Sequence, residues 1–303
     1  MQRSAIQKTA CVTFAGTFDN SVVLGKNRDR NYIPHVVLVH LEFLGTEIAV
    51  LFDTKTGWCE GINQYGVGVV NSTLVVADIS EIEKIQKGTH KSNGPKLLAA
   101  LAQDNPEDAL LTLKLANLEG HTFVGNKSTV FQMENPENHG PKVSRLNLDH
   151  LEVRTNHGYF YQDAGYHTNQ GSIVREALAY ATLSRAEDLK PSQLFPRLTE
   201  TRPFLPYSNL NPVKDHFKSD KMRTTTQMAI DLSAGELHLY LLPGRVTFDG
   251  VINLLDREPK IPVHVHKYAE DEFDRPMPDQ PVTPKTEPSK KKVAQLWLKG
   301  RGD

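Results

Sequence analysis

The chain has 303 residues, 39% hydrophobic and 23% charged, enough apolar material for one large layered body or two small domains. Thirty-five Lys and Arg stand against 36 Asp and Glu, and the resulting net charge of -1 supplies no field toward nucleic acid or anionic membrane. No apolar run approaches the ~18 residues of a membrane span, and Met1–Ala10 lacks the apolar stretch of a secretion signal. The expectation is a cytoplasmic protein with no nucleic-acid or membrane partner.

From Cys11 to Val76 the chain reads as short strands broken by turn signals: Cys11–Phe14, Ser21–Lys26, His35–Phe43, Glu47–Phe52, Trp58–Asn63 and Val67–Val76. Turns at 16–20 and 63–66 make these an antiparallel meander. Asp78–Gln86, Pro95–Gln103 and Pro106–Asn117 then carry apolar residues at helical spacing, the last two with Pro near their starts. Strands return at His121–Gly125, Thr129–Glu134, Val143–Leu148 and Leu151–His157, followed by helices at Gly171–Ser184 and Pro191–Thr199. Thr224–Leu232 and Glu236–Leu242 form a hairpin across Ser233-Ala234-Gly235, and Arg245–Leu254 is a further strand. Blocks of strands separated by blocks of helices predict an α+β layered body rather than a parallel sheet. Asp271–Lys292 is rich in Pro and charge, so the division is a leader at 1–10, a body at 11–268 and a solvated tail at 269–303.

The chain has two cysteines, too few for a disulfide framework, although one bridge between Cys11 and Cys59 is allowed. Cys59, inside a predicted strand, reads as a core residue. Cys11 at a strand start would ordinarily also be a small buried hydrophobe. Its company argues otherwise. Gly25-Lys26-Asn27-Arg28-Asp29-Arg30 gathers three cations, a carboxylate and an amide at the expected end of the neighbouring strand. A hairpin across 16–20 lays 26–29 beside Cys11, where a cation favours thiolate and a carboxylate can orient an amine. Taken alone, the same segment reads as a charged strand end facing solvent.

Five blocks occur in order: Cys11-Val12-Thr13-Phe14; Gly25-Lys26-Asn27-Arg28-Asp29; Gly61 through Asn71; Arg154-Thr155-Asn156-His157; and Arg223-Thr224-Thr225-Thr226. Together they resemble the cysteine branch of the N-terminal nucleophile (Ntn) hydrolases. The nearest groups are the acyl-CoA:6-aminopenicillanate acyltransferase-like and choloylglycine hydrolase-like proteins, with secernin-type dipeptidases more distant. The resemblance implies a four-layer αββα sandwich of two antiparallel sheets between helices. It also implies self-cleavage of the Ala10–Cys11 bond and no cofactor. The freed amine, with a reference pKa of about 8, would serve as base for its own thiol.

On this resemblance Asp29 orients the Cys11 amine, Asn156 stabilises the oxyanion and Arg223 matches an arginine near the nucleophile. Lys26 stands where the bile-salt enzymes have arginine, and Arg28 could substitute for it; Asn71 or Thr73 would line the pocket. His157 and His167 follow Asn156 and could face the same pocket. His264 and His266 alternate on one strand face, but no Cys or Glu at ligand-like spacing accompanies them, and no metal is expected. The implied function is a cysteine amidohydrolase acting on a linear amide of a small molecule or short peptide through a thioester. Acyl transfer from that thioester is the alternative within chemistry, and a non-catalytic relative binding through its tail is the alternative outside it. A homo-oligomer is compatible with either.

Overall fold

The computed structural model describes residues 11–30, 35–53, 57–74, 93–136, 139–162, 170–200, 212, 223–241, 246–253 and 265–267. In chain order the elements are β1 (Val12–Phe18), β2 (Ser21–Arg30), β3 (His35–Phe43), β4 (Thr46–Asp53), β5 (Trp58–Asn63) and β6 (Gly68–Ser72). Helices α1 (Gly94–Leu101) and α2 (Pro106–Leu115) follow, then β7 (Gly120–Gly125), β8 (Val130–Asn135), β9 (Lys142–Arg145) and β10 (Glu152–Arg154). The remainder is α3 (Gln170–Leu183), a 3-10 turn at Pro191–Gln193, α4 (Leu194–Glu200), β11 (Arg223–Asp231), β12 (Glu236–Leu241), β13 (Val246–Asn253) and β14 (Val265–Lys267).

The strands form two antiparallel sheets, in the orders β10-β1-β2-β11-β12-β13 and β14-β3-β4-β5-β6-β7-β8-β9. Three apolar clusters stack them into layers. Leu24, Met228 and Ile230 of the first sheet meet Leu51, Ile62 and Val70 of the second. The outer face of the second sheet packs through Val50, Val69 and Val124 on Leu97, Leu101 and Leu113 of α1 and α2. The outer face of the first packs through Val12, Phe14 and Ala229 on Ala179, Leu183, Phe195 and Leu198 of α3 and α4. Each of the Val, Leu, Ile, Phe and Met side chains among them, fully buried, contributes about 1.5–3 kcal/mol. The result is the expected α+β sandwich of helix, sheet, sheet and helix.

Local sequence explains the parts that carry the site. β1 and β2 join through Asp19 and Asn20, whose φ of 46° and 63° give the mirror-image turn that matches strand twist. The hairpin sets Val12 opposite Asn27 and Phe14 opposite Gly25. The Phe14 ring lies over Gly25 so closely that a Cβ there would sit 2.0 Å from it. Asn105 caps α2 by accepting the Asp108 N–H at 2.8 Å, with Pro106 in the first turn.

Three expectations change. The meander is split between sheets, because the second edge of β2 is taken by β11 while β3 belongs to the other sheet. The charged segment 25–30 is not a solvated strand end: β2 runs through it to Arg30, paired with β1 as far as Asn27 and with β11 to Arg30, and Lys26, Arg28 and Asp29 are about 1% exposed. β10 ends at Arg154, so Asn156 and His157 lie beyond it. Cys11 and Cys59 are both buried, and no disulfide joins them. The leader 1–10, the helix at 78–86, the tail 269–303, His167, His264 and the side chains of Arg223 and His266 lie outside the described residues. No helix among the described residues is long and apolar enough to cross a membrane.

Candidate active site

Strand alternation sorts the charges of β2 onto two faces. Lys26 and Arg28 point between the sheets. Lys26 Nζ pairs with Glu60 and donates to the Asn71 carbonyl, and Arg28 lies 3.7 Å from Asp53 and 3.8 Å from Glu60. Trp58 Nε1 also donates to Glu60, at 3.1 Å. Burial works against the Glu60 charge, but Lys26 and Arg28 outweigh it and hold the carboxyl below its ordinary range. Charges buried this deeply persist because they are paired; removing one partner from such a pair costs about 3–5 kcal/mol.

Asn27 and Asp29 point the other way, toward the helices. Asn27 donates to the Pro212 carbonyl at 2.9 Å and accepts from Gln227 at 3.1 Å. Asp29 accepts the Thr224 hydroxyl at 2.7 Å from its register partner on β11. On the same side lies Arg175 of α3, only 2% exposed. Burial pulls its guanidinium below the ordinary value, and the charges of Asp29 and Cys11 act to raise it again. Arg175, Asp29 and Cys11 are therefore electrostatic neighbours.

Cys11 stands at the head of β1, 2% exposed, and Asn156 is its immediate polar partner. The Cys11 nitrogen donates to Asn156 Oδ1 at 2.9 Å, and Arg175 Nη2 donates to the same oxygen at 3.2 Å. Asn156 Nδ2 donates to the Thr73 carbonyl at 2.6 Å, and its backbone N–H to Ser172 Oγ at 2.8 Å. The amide expected to face an oxyanion thus engages Thr73, and the carbonyl end faces Cys11. Four blocks of sequence, around Cys11, Asp29, Asn156 and Thr224, converge on one place.

The other expected residues are distributed around it. Lys26 and Arg28, expected to meet substrate, are instead engaged in the ion pairs between the sheets. The Asn71 side chain donates to the Glu119 carbonyl at 3.0 Å and to Thr122 Oγ1 at 2.8 Å, a structural engagement. Thr73 touches the site through its carbonyl. His157 sits one residue beyond Asn156, with Nδ1 3.0 Å from Ser172 Oγ and Nε2 3.6 Å from Glu176. Sequence reasoning missed Arg175, Ser172, Thr224, Glu60 and Asp53. The available signal for two of them was the spacing of Ser172, Arg175 and Glu176 at i, i+3 and i+4, which puts all three on one helix face.

Among the described residues one grouping has metal-ligand chemistry: Asp231, Glu236 and His238 hold ligand atoms within 4.8 Å of one another. It lies seven residues along β11 from Thr224, roughly 23 Å away at strand rise. Asp231 Oδ1 already accepts the Ser233 and Ala234 N–H groups at 2.9 Å, and His238 pairs with Glu236 at 3.3 Å. A turn and a pair account for these contacts.

Fold and site together define an αββα sandwich with a buried cysteine at the head of an inner strand, its nitrogen held by an asparagine. Solved structures with a similar fold include a variant of the conjugated bile acid hydrolase from Clostridium perfringens, matched over 86% of this chain and 97% of its own at 14% identity and a TM-score of 0.49. Penicillin V acylase from Agrobacterium tumefaciens matches over 88% of both chains at 10% identity and a TM-score of 0.45. No protein-family model matches the chain, and no curated protein matches its sequence.

Proposed function

We propose that the protein is a cysteine amidohydrolase of the Ntn type, with Cys11 as nucleophile. The observation that carries this is the grip on the Cys11 nitrogen: Asn156 Oδ1 at 2.9 Å, itself held by Arg175, with Asp29 alongside. A buried structural cysteine needs one acceptor for its backbone N–H, but not an acceptor itself held by a guanidinium with a carboxylate alongside. A nucleophile whose own amine is the base requires it.

In the processed chain the Ala10–Cys11 bond is cleaved and the Cys11 nitrogen is a free amine. Asn156 accepts one of its protons and fixes the direction of its lone pair toward the thiol. The amine takes the thiol proton, and the sulfur attacks the amide carbonyl carbon. A C–S bond forms as the carbonyl electron pair moves onto oxygen. The ammonium then gives its proton to the leaving nitrogen, the C–N bond breaks and a thioester remains. Water, losing a proton to the amine, attacks the thioester and the C–S bond breaks, restoring the thiol. Asp29 and Arg175 compensate each other beside this cycle, so that the amine changes charge against a fixed, balanced background.

Conjugated bile acids and penicillin V, the compounds named for the two similar structures, are suitable first probes, with other N-acyl compounds and short peptides beside them. The expected result is amide hydrolysis by a chain whose intact mass begins at Cys11, abolished in Cys11→Ala without change in circular dichroism. Turnover by Cys11→Ala near the wild-type rate would place the nucleophile elsewhere. An active chain that retains residues 1–10 would remove the amine as base.

A further inference from the structure

Directly after Asn156 the chain runs through His157 and Gly158 into three consecutive aromatic residues, Tyr159, Phe160 and Tyr161. A carboxylate that is 0% exposed fixes their backbone. Glu134 of β8 accepts the N–H groups of Tyr159 and Phe160 on Oε2, both at 2.8 Å, and that of Tyr161 on Oε1 at 3.1 Å. Lys142 donates to the Phe160 carbonyl at 3.2 Å and lies 4.1 Å from the Tyr161 ring centre, and the Tyr161 hydroxyl donates to the Gly140 carbonyl. The backbone is braced at each of the three residues, so the direction of their side chains is set before any ligand arrives.

Two of the rings form a corner. Tyr159 and Phe160 have centroids 5.0 Å apart and planes at 69°, an edge-to-face pair. The Arg154 guanidinium lies 3.8 Å from the Tyr159 ring centre, a separation that only stacking on a face allows. Arg154 is 4% exposed and bound by Glu152 at 2.7 Å and Gln132 at 2.9 Å, so it closes that face. Tyr159 is nonetheless 44% exposed, through its other face and its edge. The cation beneath makes the free face a poor seat for a second cation. What it suits is a neutral ring, stacked on Tyr159 and edge-on to Phe160.

The corner stands on the thiol's side of β1. Val12 and Phe14 pack on the helices while Ala15 lies between the sheets, so alternation turns Cys11 and Thr13 between the sheets as well. Val153 packs on the helices and Arg154 reaches Gln132 of the second sheet, which puts the Arg154–Tyr159 stack on that same side. Arg154 pairs with Thr13, two residues from Cys11, or about 7 Å along the strand. The Cys11 nitrogen, by contrast, faces Asn156 and, through it, Arg175 of α3. The leaving nitrogen must come to that amine for its proton, whereas the acyl group stays on sulfur. We propose that Tyr159 and Phe160 are specificity-determining residues for the acyl part of the substrate, and that the acyl groups they take end in an aromatic ring one or two carbons from the carbonyl. This rests on Cys11 being the nucleophile.

The test compares phenylacetyl and cyclohexylacetyl amides of one amine, alike in size and differing in the π face, on the full chain, with a second pair that carries the same rings on the amine. The wild type should favour phenylacetyl over cyclohexylacetyl about five- to tenfold in kcat/KM, with no such ratio for rings on the amine. Tyr159→Leu and Phe160→Leu, which keep apolar bulk, should bring the ratio toward one by raising KM for the phenylacetyl amide. Phenylacetate should also slow alkylation of Cys11 by iodoacetamide in the wild type more than cyclohexylacetate does, a difference lost in Tyr159→Leu and read without turnover. A ratio near one in the wild type, or one that survives in both folded variants, overturns the corner. A ratio confined to rings on the amine overturns its assignment to the acyl side. Either result leaves Cys11 as the nucleophile as long as Cys11→Ala is inactive. Cys11 reacting with iodoacetamide no faster than the fully buried Cys59 overturns the nucleophile, and the corner with it.

Discussion

Asp29 and Arg175 offer the sharpest energetic test, because each is buried and the charge of each is answered by the other. Asp29→Asn keeps the shape and one oxygen to accept Thr224, but leaves the guanidinium uncompensated. Arg175→Met leaves the carboxylate uncompensated and removes the donor to Asn156 Oδ1. Breaking a buried pair from one side costs about 3–5 kcal/mol; Asp29→Asn belongs at the lower end because Thr224 is still answered. The double variant buries neither charge, so its cost should approach that of one single substitution rather than their sum. A coupling of about 2–3 kcal/mol is expected in urea denaturation of the four proteins. Costs that add to within about 0.5 kcal/mol would refute the electrostatic pairing. A surface carboxylate, by contrast, would contribute no more than ~1 kcal/mol.

Two further outcomes follow from burial. His121 Nε2 meets a carbonyl, so it carries the proton, and burial brings the imidazole down to about 4 from 6.5, with Arg154 assisting. The unfolded chain therefore binds that proton first: stability should be lost as pH falls from about 6.5 through 4, by up to about 3 kcal/mol, and His121→Gln should flatten that limb of urea midpoint against pH. Gly25→Ala should cost roughly 1–3 kcal/mol by driving a methyl into the Phe14 ring, a loss that Phe14→Leu partly restores in thermal denaturation.

The parts legible in the sequence were those where a single local rule governs. β3 and β5 occupy the spans that alternation predicts, and α1 and α2 begin near their prolines. The buried charges were not legible. Lys26-Asn27-Arg28-Asp29 has the composition of a solvated strand end, and Glu60 and Asp53, which neutralise it, lie on strands of the other sheet. Only tertiary packing brings them together. Asn156 was reached through resemblance, because one asparagine after a short strand carries no signal of its own. The spacing of Ser172, Arg175 and Glu176 marks one helix face, but its composition is that of the solvent face of an amphipathic helix, whereas this face turns toward Asn156.

The central claim is that the Cys11 sulfur carries the acyl group. Incubating the protein with a hydrolysed amide, quenching in acid and mapping peptides by mass spectrometry measures it directly. The account expects the acyl mass on the peptide containing Cys11, formed in the wild type and absent from Cys11→Ala, while the Cys59 peptide stays unmodified. Steady hydrolysis with no acyl mass on Cys11, retained in Cys11→Ala, would contradict it.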